Sequence, residues 1–72
     1  MYLVVELQVS SGGQMAHIAT AYNSRAEAES KFHTILAAAA VSNVAIHSAV
    51  ILDEEGLLLA NGSYRHGTEE VN

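Results

Sequence analysis

The chain contains no cysteine among its 72 residues. It therefore cannot form a disulfide, and it has no thiolate to bind a metal or to attack a substrate. A domain of this length buries only about 60% of the surface of its unfolded chain and is marginally stable as a monomer. Because no disulfide can add stability, the sequence favours oligomerisation as the remaining source of it.

Positive charge is also scarce. Lys31, Arg25 and Arg65 are the only permanent cations, and the net charge is −5 with neutral histidines. Binding to DNA or RNA needs several phosphate contacts from a basic surface, so we expect no nucleic-acid partner. Charged residues of either sign make up only 15% of the chain, which leaves few of them to cover a monomer and again favours assembly.

Long apolar runs are absent as well. No run reaches the ~18 residues that a membrane span requires. No charged segment followed by an apolar segment opens the chain, as it would in a signal peptide. We therefore expect no membrane partner and a cytoplasmic location.

One helix is predicted between Ser24 and Ser42. Ser24 or Asn23 can cap its first turn, and Glu27 follows Ser24 at the spacing of a capping box. Neither proline nor glycine interrupts the run. At about 100° per residue, one apolar face is expected to pack on a sheet. The residues of that face are Ala28, Phe32, Ile35, Leu36 and Ala39.

A second helix face is small and apolar, although a face in contact with water would be polar. Its residues are Ala26, His33, Ala37, Ala40 and Val41. Small side chains let another backbone approach closely, so we predict that this face joins the subunits of a homo-oligomer, a dimer or larger. The alternative is that the alanines are simply good helix formers.

Two pairs of strands flank the helix. Apolar alternation and β-branched residues predict strands over residues 2–9, 14–22, 44–52 and 57–64. Glycine-containing turns are expected between the members of each pair. The predicted fold class is α+β, with a four-stranded antiparallel sheet in the order β2-β1-β3-β4 and one helix packed on one face. The domain is expected to span residues 1–66 as a single ββαββ unit, followed by a flexible C-terminal tail over 67–72.

The first strand has two different faces. One carries Leu3, Val5, Leu7 and Val9, and the other carries residues such as Val4, Glu6 and Gln8. We expect the sheet face opposite the helix to carry this second set, and to be either in contact with water or a second interface.

The four histidines do not predict a metal site. None of His17, His33, His47 and His66 pairs with another at the helical spacing of a zinc site, and no cysteine assists them. His17 and His47 would face each other only if the second and third strands were close. His33 lies on the small-residue helix face, where we interpret it as an interface residue.

No pattern in the chain predicts catalysis. Turns, helix caps and polar strand faces account for the serines, and no Gly-x-Ser-x-Gly motif is present. Gly12-Gly13 stands alone, without the rest of a phosphate-binding motif. The acidic run 53–55 is interpreted as a turn in contact with water. We predict that the protein is not an enzyme and uses no cofactor.

Polar residues suited to ligand contact gather at the start and outer side of the helix. They are Tyr22, Arg25, Ser30, Lys31 and His33. A helix N-terminus with Arg25 beside it could hold an anion such as a phosphate. The alternative, which we favour, is that Arg25 pairs with Glu29 along the helix. Lys31 would then pair with Glu27 in the same way.

Two segments of the helix and one later residue are distinctive: Ala-Glu-Ser-Lys-Phe-His at 28–33, Ala-Ala-Ala-Ala-Val-Ser at 37–42 and His47. In these the chain resembles a group of very small, uncharacterised proteins of gut Firmicutes and their phages and prophages. The resemblance extends from the first strand to about His66. It implies a phage or mobile-element accessory protein, which would act in the cytoplasm of the host cell. It carries over no catalytic residue.

We therefore expect a non-enzymatic, homo-oligomeric binding module. Its most specific form is a counter-defence protein that binds a host factor. A first rival function is a sponge that sequesters a small, for example cyclic, nucleotide between subunits, through Tyr22, Arg25, Lys31 and His33. A second is a structural or assembly protein without a ligand, and the least favoured is a small enzyme whose site is shared between subunits.

Overall fold

The computed structural model of the chain describes residues 1–66. In chain order, the elements are β1 (Tyr2–Val9), β2 (Met15–Tyr22), α1 (Arg25–Val41), β3 (Ile46–Asp53) and β4 (Leu58–Arg65). The strands form one antiparallel sheet in the order β2-β1-β3-β4. The predicted ββαββ fold and strand order are thus confirmed, while the predicted tail over 67–72 lies outside the described residues.

The same kind of turn closes both hairpins. In the first, the Gly13 N–H donates to the Ser10 carbonyl at 2.9 Å, and Gly13 has a φ of +87°. In the second, the Gly56 N–H donates to the Asp53 carbonyl at 3.0 Å, and Gly56 has a φ of +84°. Only glycine adopts this left-handed conformation without steric cost, so both turns depend on their final glycine.

The helix begins and ends where its capping residues predict. The Ser24 hydroxyl accepts a hydrogen bond from the Glu27 N–H at 3.3 Å. At the other end, the Ser42 N–H donates to the Ala39 carbonyl at 3.3 Å. These side-chain and backbone contacts satisfy groups that the ends of a helix leave unpaired.

The core lies between the helix and the two central strands. The predicted packing face of α1 is confirmed, since Ala28, Phe32, Ile35 and Ala39 are buried and Leu36 packs against them. Across from these residues lie the buried side chains of Val4 on β1 and of Ala49 and Ile51 on β3. This core is small. Of its seven buried apolar side chains, three are alanines and one is aromatic.

The predicted assignment of the faces of β1 is wrong. Val4 is only 1% exposed and belongs to the core beneath the helix. Alternation along the strand therefore places Glu6 and Gln8 on the helix side as well. The reason is the register of β1 with β3, which pairs Val4 with Ile51 and Glu6 with Ala49, two residues buried under the helix.

The sheet face opposite the helix, which we call the open face, is consequently mostly apolar, and its polar members are His17, Ser48, Asn61, Ser63 and Arg65. It receives the alternate residues of every strand, in pairs such as Val5 with Val50 and Leu3 with Leu52. Its apolar members are Leu3, Val5, Leu7, Val9, Met15, Ala19, Ala21, Ile46, Val50, Leu52 and Leu58. No element of residues 1–66 packs on this face.

A bulge in β4 changes its alternation. Ile51 pairs with Ala60 but Leu52 pairs with Leu58, so Leu59 is an additional residue. Leu59 and Ala60 both pack against the core. Beyond the bulge, Gly62 lies opposite Ala49 and directly beneath the helix.

The outermost strands are β2 and β4. Edge strands normally avoid pairing with further chains by means of charged side chains or proline. Strand β2 carries neither a permanent charge nor a proline, and its Met15 and Ile18 side chains are 68% and 60% exposed. This edge of the sheet is therefore unprotected. In residues 1–66, no helix is long and apolar enough to cross a membrane.

Candidate functional site

A buried histidine forms the centre of the most distinctive polar cluster. His47 on β3 is 4% exposed, and its Nε2 lies 2.7 Å from Oε2 of Glu6 on the neighbouring strand β1. The Glu6 side chain is itself only 17% exposed. Gln8 Nε2, two residues along β1, donates to the same Glu6 oxygen at 3.1 Å.

The other ring nitrogen of His47 meets the end of the helix. Nδ1 of His47 lies 3.1 Å from the hydroxyl of Ser42, the residue that caps α1. That hydroxyl is also 3.3 Å from the Ala39 carbonyl. Nε2 of His66, just after β4, lies 2.7 Å from the same carbonyl and must donate to it, because a carbonyl only accepts.

These partners determine where the protons lie. The Ala39 carbonyl has two lone pairs, and the Ser42 N–H and the His66 Nε2–H already donate to it. The Ser42 hydroxyl is therefore free to donate to Nδ1 of His47, whose Nε2–H then donates to Glu6. Both ring nitrogens of His47 thus have a hydrogen-bond partner.

The cluster also fixes the charge of Glu6. The hydrogen bond with His47 lowers the pKa of Glu6 below its ordinary value. Burial raises the pKa, but the hydrogen bond from Gln8 and the electrostatic influence of His47 and Lys31 add to the lowering. Glu6 is therefore a carboxylate at neutral pH despite its burial.

The carboxylate, imidazole and hydroxyl superficially resemble a catalytic triad. Nucleophilic attack by Ser42 is nevertheless disfavoured, because the hydroxyl sits at the C-terminal end of α1 beside the Ala39 carbonyl. The negative end of the helix dipole would destabilise an oxyanion formed there, whereas catalytic sites supply hydrogen-bond donors. The arrangement instead suits a structural cluster that ties β1, β3 and α1 together.

An open cleft of about 440 Å³ adjoins this cluster, between the β1–β2 turn and the loop from α1 to β3. Its lining is uncharged: Gln8, Ser10, Ser11, Gln14, Met15, Ala16, Asn43, Val44 and Ala45. A second cleft of the same size shares Ser10, Ser11, Asn43 and Ala45 with it and includes His66. Amide and hydroxyl groups of this kind suit uncharged polar groups of a partner better than a phosphate.

The predicted ligand residues do not line these clefts. Arg25 pairs with Glu29 at 3.0 Å, which is the favoured alternative for this arginine. Tyr22 is partly buried and packs against the core. The pair predicted between Lys31 and Glu27 is not among the ion pairs of residues 1–66, and Lys31 instead contributes to the low pKa of Glu6.

His33 is exposed and lies edge-on to the Phe32 ring, with ring centroids 5.4 Å apart. The helix has 17 residues, so the predicted anion site at its start is about 25 Å from the cleft at its end.

The predicted oligomer contact on the helix remains a prediction. Ala26, His33, Ala37, Ala40 and Val41 are all exposed in the monomer, so they are accessible to a second subunit. His17 and His47 do not face each other, because β1 lies between β2 and β3. Among residues 1–66, no group of three or more histidine or acidic side chains is placed to hold a metal ion.

Sequence reasoning missed the His47 cluster because its members are far apart in the chain. Glu6 and His47 are 41 residues apart. The available signal was the position of His47, which shares one face of β3 with Ala49 and Ile51. A histidine on an otherwise apolar strand face, opposite a strand with Glu6 and Gln8, indicates a buried polar pair.

Comparison with known proteins gives no relative: no family model matches the chain, and neither a curated protein nor a solved structure matches it.

Proposed function

We propose that this protein is a non-enzymatic binding module that acts as a homo-oligomer. The observation that carries the proposal is the distribution of apolar side chains. Three of the seven buried apolar side chains are alanines, while most aliphatic side chains of β1 lie on the open face. Burying a valine, leucine or isoleucine completely contributes about 1.5–3 kcal/mol, and the central residues of this face are only partly buried, so covering them would add the remaining part of that contribution.

The chemistry of the polar cluster supports the non-enzymatic part of the proposal. The hydroxyl of Ser42 is surrounded by the acceptor Ala39 and by His47, and His47 is committed to Glu6. These groups stabilise the junction of helix and sheet. The uncharged cleft beside them is a surface for a partner rather than for a reaction.

The most specific form of the proposal is a phage or mobile-element protein that binds a host protein. It is supported by the sequence resemblance and by the lack of charge in the clefts, which favours a polypeptide partner over a nucleotide. The nucleotide sponge has less support, because Arg25 is paired with Glu29. A thermal-shift assay against cyclic nucleotides separates the two, since the sponge requires a rise in Tm.

The test of the oligomer is the mass of the full chain in solution. Light scattering after size exclusion, over a series of micromolar concentrations, should give a multiple of 7.6 kDa. A constant mass of one chain throughout the series would overturn the proposal. To test the host-protein form, the chain is expressed in a host with an active phage defence. Expression should raise the plating efficiency of a phage restricted by that defence, and no rise in any defended host would count against it.

A further inference from the structure

We propose that a second copy of the chain covers the open face, in a face-to-face dimer with two-fold symmetry. The inference rests on the proposed homo-oligomer and specifies its interface. It differs from the helix contact predicted from sequence, because it places the subunit boundary on the opposite side of the sheet.

The area of the open face is sufficient for a dimer. Four strands of eight residues, spaced about 4.8 Å apart and rising about 3.3 Å per residue, span roughly 500 Å² in projection. By this measure, two copies together would bury about 1,000 Å² of surface. The buried area is larger once the uneven side-chain surface is included. Specific interfaces begin at about this size.

The charge distribution favours a copy of the same chain over a charged partner. Arg65, at the outer end of β4, is the only permanent charge that the register places on the open face. None of the acidic residues within 1–66 lies there. Glu6 and Asp53, the last residue of β3, are on the helix side of the sheet, and the others are on α1 or in the turn after β3. Two such faces can therefore meet without placing acidic side chains against each other.

The side chains favour this face over the helix. The helix contact would bury mostly methyl groups of alanine, such as Ala37 and Ala40. The open face offers leucine, valine and isoleucine, whose larger side chains are partly exposed and can interlock with those of a partner. Side chains of this kind on two sheets interdigitate at a spacing of about 10 Å, as in a sandwich.

Symmetry identifies the central residues. A two-fold axis lying in the interface stacks the central strands β1 and β3 of one copy on those of the other. Val5 and its neighbour Val50 lie near the middle of the face. Each valine therefore approaches the central residues of the partner. A substitution at Val5 is present in both subunits, so the two changed side chains lie near each other at the centre of the interface.

The experiment replaces Val5 with a charge. Val5→Lys should raise the Kd of the dimer by roughly a hundred-fold or more, because each subunit would bury an unpaired charge. Val5→Glu should do the same. Mixing the two variants should restore a mixed dimer, detectable by native mass spectrometry, since the opposite charges can pair. Ala37→Glu is the matched control on the helix and should leave the dimer intact.

Each outcome decides between interfaces. If the wild-type chain is a monomer, the proposed function fails. If the wild-type chain is an oligomer that Val5→Lys leaves intact, this inference alone is overturned. Dissociation by Ala37→Glu would then assign the contact to the helix. Failure of the two Val5 variants to form a mixed dimer would exclude the two-fold stacking.

Ser48→Arg provides a second test, in case Val5→Lys disturbs folding as judged by circular dichroism. Ser48 is already polar and lies on the open face opposite Leu7, so the monomer should accommodate the change. The variant should weaken the dimer as Val5→Lys does, and an unchanged Kd in a folded Ser48→Arg protein would contradict the interface.

Discussion

Leu36 on α1 occupies the space above Gly62 on β4. A Cβ on Gly62 would lie 2.8 Å from Cδ1 of Leu36, closer than two carbon atoms approach in proteins. The helix can come this near to the strand only because the strand has no side chain there. The contact explains why a residue with low strand propensity stands within β4.

Gly62→Ala should therefore destabilise the fold by about 1–2 kcal/mol, since Leu36 must leave its position. The measurement is the free energy of unfolding by urea, at one protein concentration. Adding Leu36→Val should recover part of the loss, because the shorter side chain makes room for the methyl group. If Gly62→Ala lowers the free energy of unfolding by the same amount with and without Leu36→Val, the contact with Leu36 is not the cause of the destabilisation.

Glu6→Gln should lower stability by about 1–2 kcal/mol at neutral pH, by weakening the hydrogen bond between a charged group and His47. The pKa of Glu6 lies below its ordinary value of 4.5, so the ionised group contributes stability above that pH. This contribution is lost as the pH falls through the lower pKa of the folded state. The difference between wild type and variant should thus shrink as the pH falls below about 4.5.

Urea unfolding across this pH range tests the prediction. The matched control is Glu29→Gln, which removes an exposed pair with Arg25 and should change stability by less than about 0.5 kcal/mol. A difference between wild type and Glu6→Gln that stays constant with pH would contradict the role of the ionised carboxylate.

His47→Ala should cost about 3 kcal/mol or more, because it leaves the buried Glu6 carboxylate without its partner. Replacing both residues with apolar ones, as in Glu6→Met with His47→Leu, should cost less than the single change, since no buried charge remains. Thermal and urea unfolding provide the comparison. A double variant less stable than His47→Ala would show that the rest of the cluster contributes more than the pair.

Substitution by alanine should cost stability at the two turn glycines with positive φ, but not at the adjacent Gly12. Gly13→Ala and Gly56→Ala should each cost about 1–2 kcal/mol, because both positions have φ above +80°. Gly12→Ala is the control: its φ is not positive, and its added Cβ would be 3.8 Å from the nearest atom. Gly12→Ala should be neutral or slightly stabilising. If Gly13→Ala were equally neutral, the first turn would be relaxing to another conformation.

The elements and their order follow from local chemistry and were predictable. Ser24 marks the start of the helix, and Gly13 and Gly56 close the turns. Each depends on residues within a few positions along the chain, which a sequence displays directly. The helix face that contains Phe32 and Ile35 followed from the helical period alone.

The face of the sheet that the helix covers was not predictable in this way. Taken alone, β1 is more apolar on the side of Val5 and Leu7, yet the helix packs on the side of Val4. The choice depends on β3, where the helix-facing residues include Ala49, which leaves room for the helix. Packing between segments that are distant in sequence determines which face the helix covers. The alternation within one strand does not show which segment will pack on either of its faces.

The polar cluster escaped prediction for the same reason. Glu6 appeared as a polar residue suited to water, because nothing near it in sequence could bury it. His47 satisfies it from a strand that joins the sheet only after the helix is complete. Ser42, predicted as a helix stop, caps the helix and binds the histidine as well.

Strand β2 leaves a row of backbone donors and acceptors along one margin of the sheet, where no strand of residues 1–66 pairs with it. Stacking two sheets would not shield that margin, so each assembled pair keeps two places where an extended segment can add. We therefore expect lateral growth into ribbons at high concentration. A lysine at the exposed Ile18, which lies opposite Glu6 and so away from the stacked faces, would block that growth without disturbing the pair.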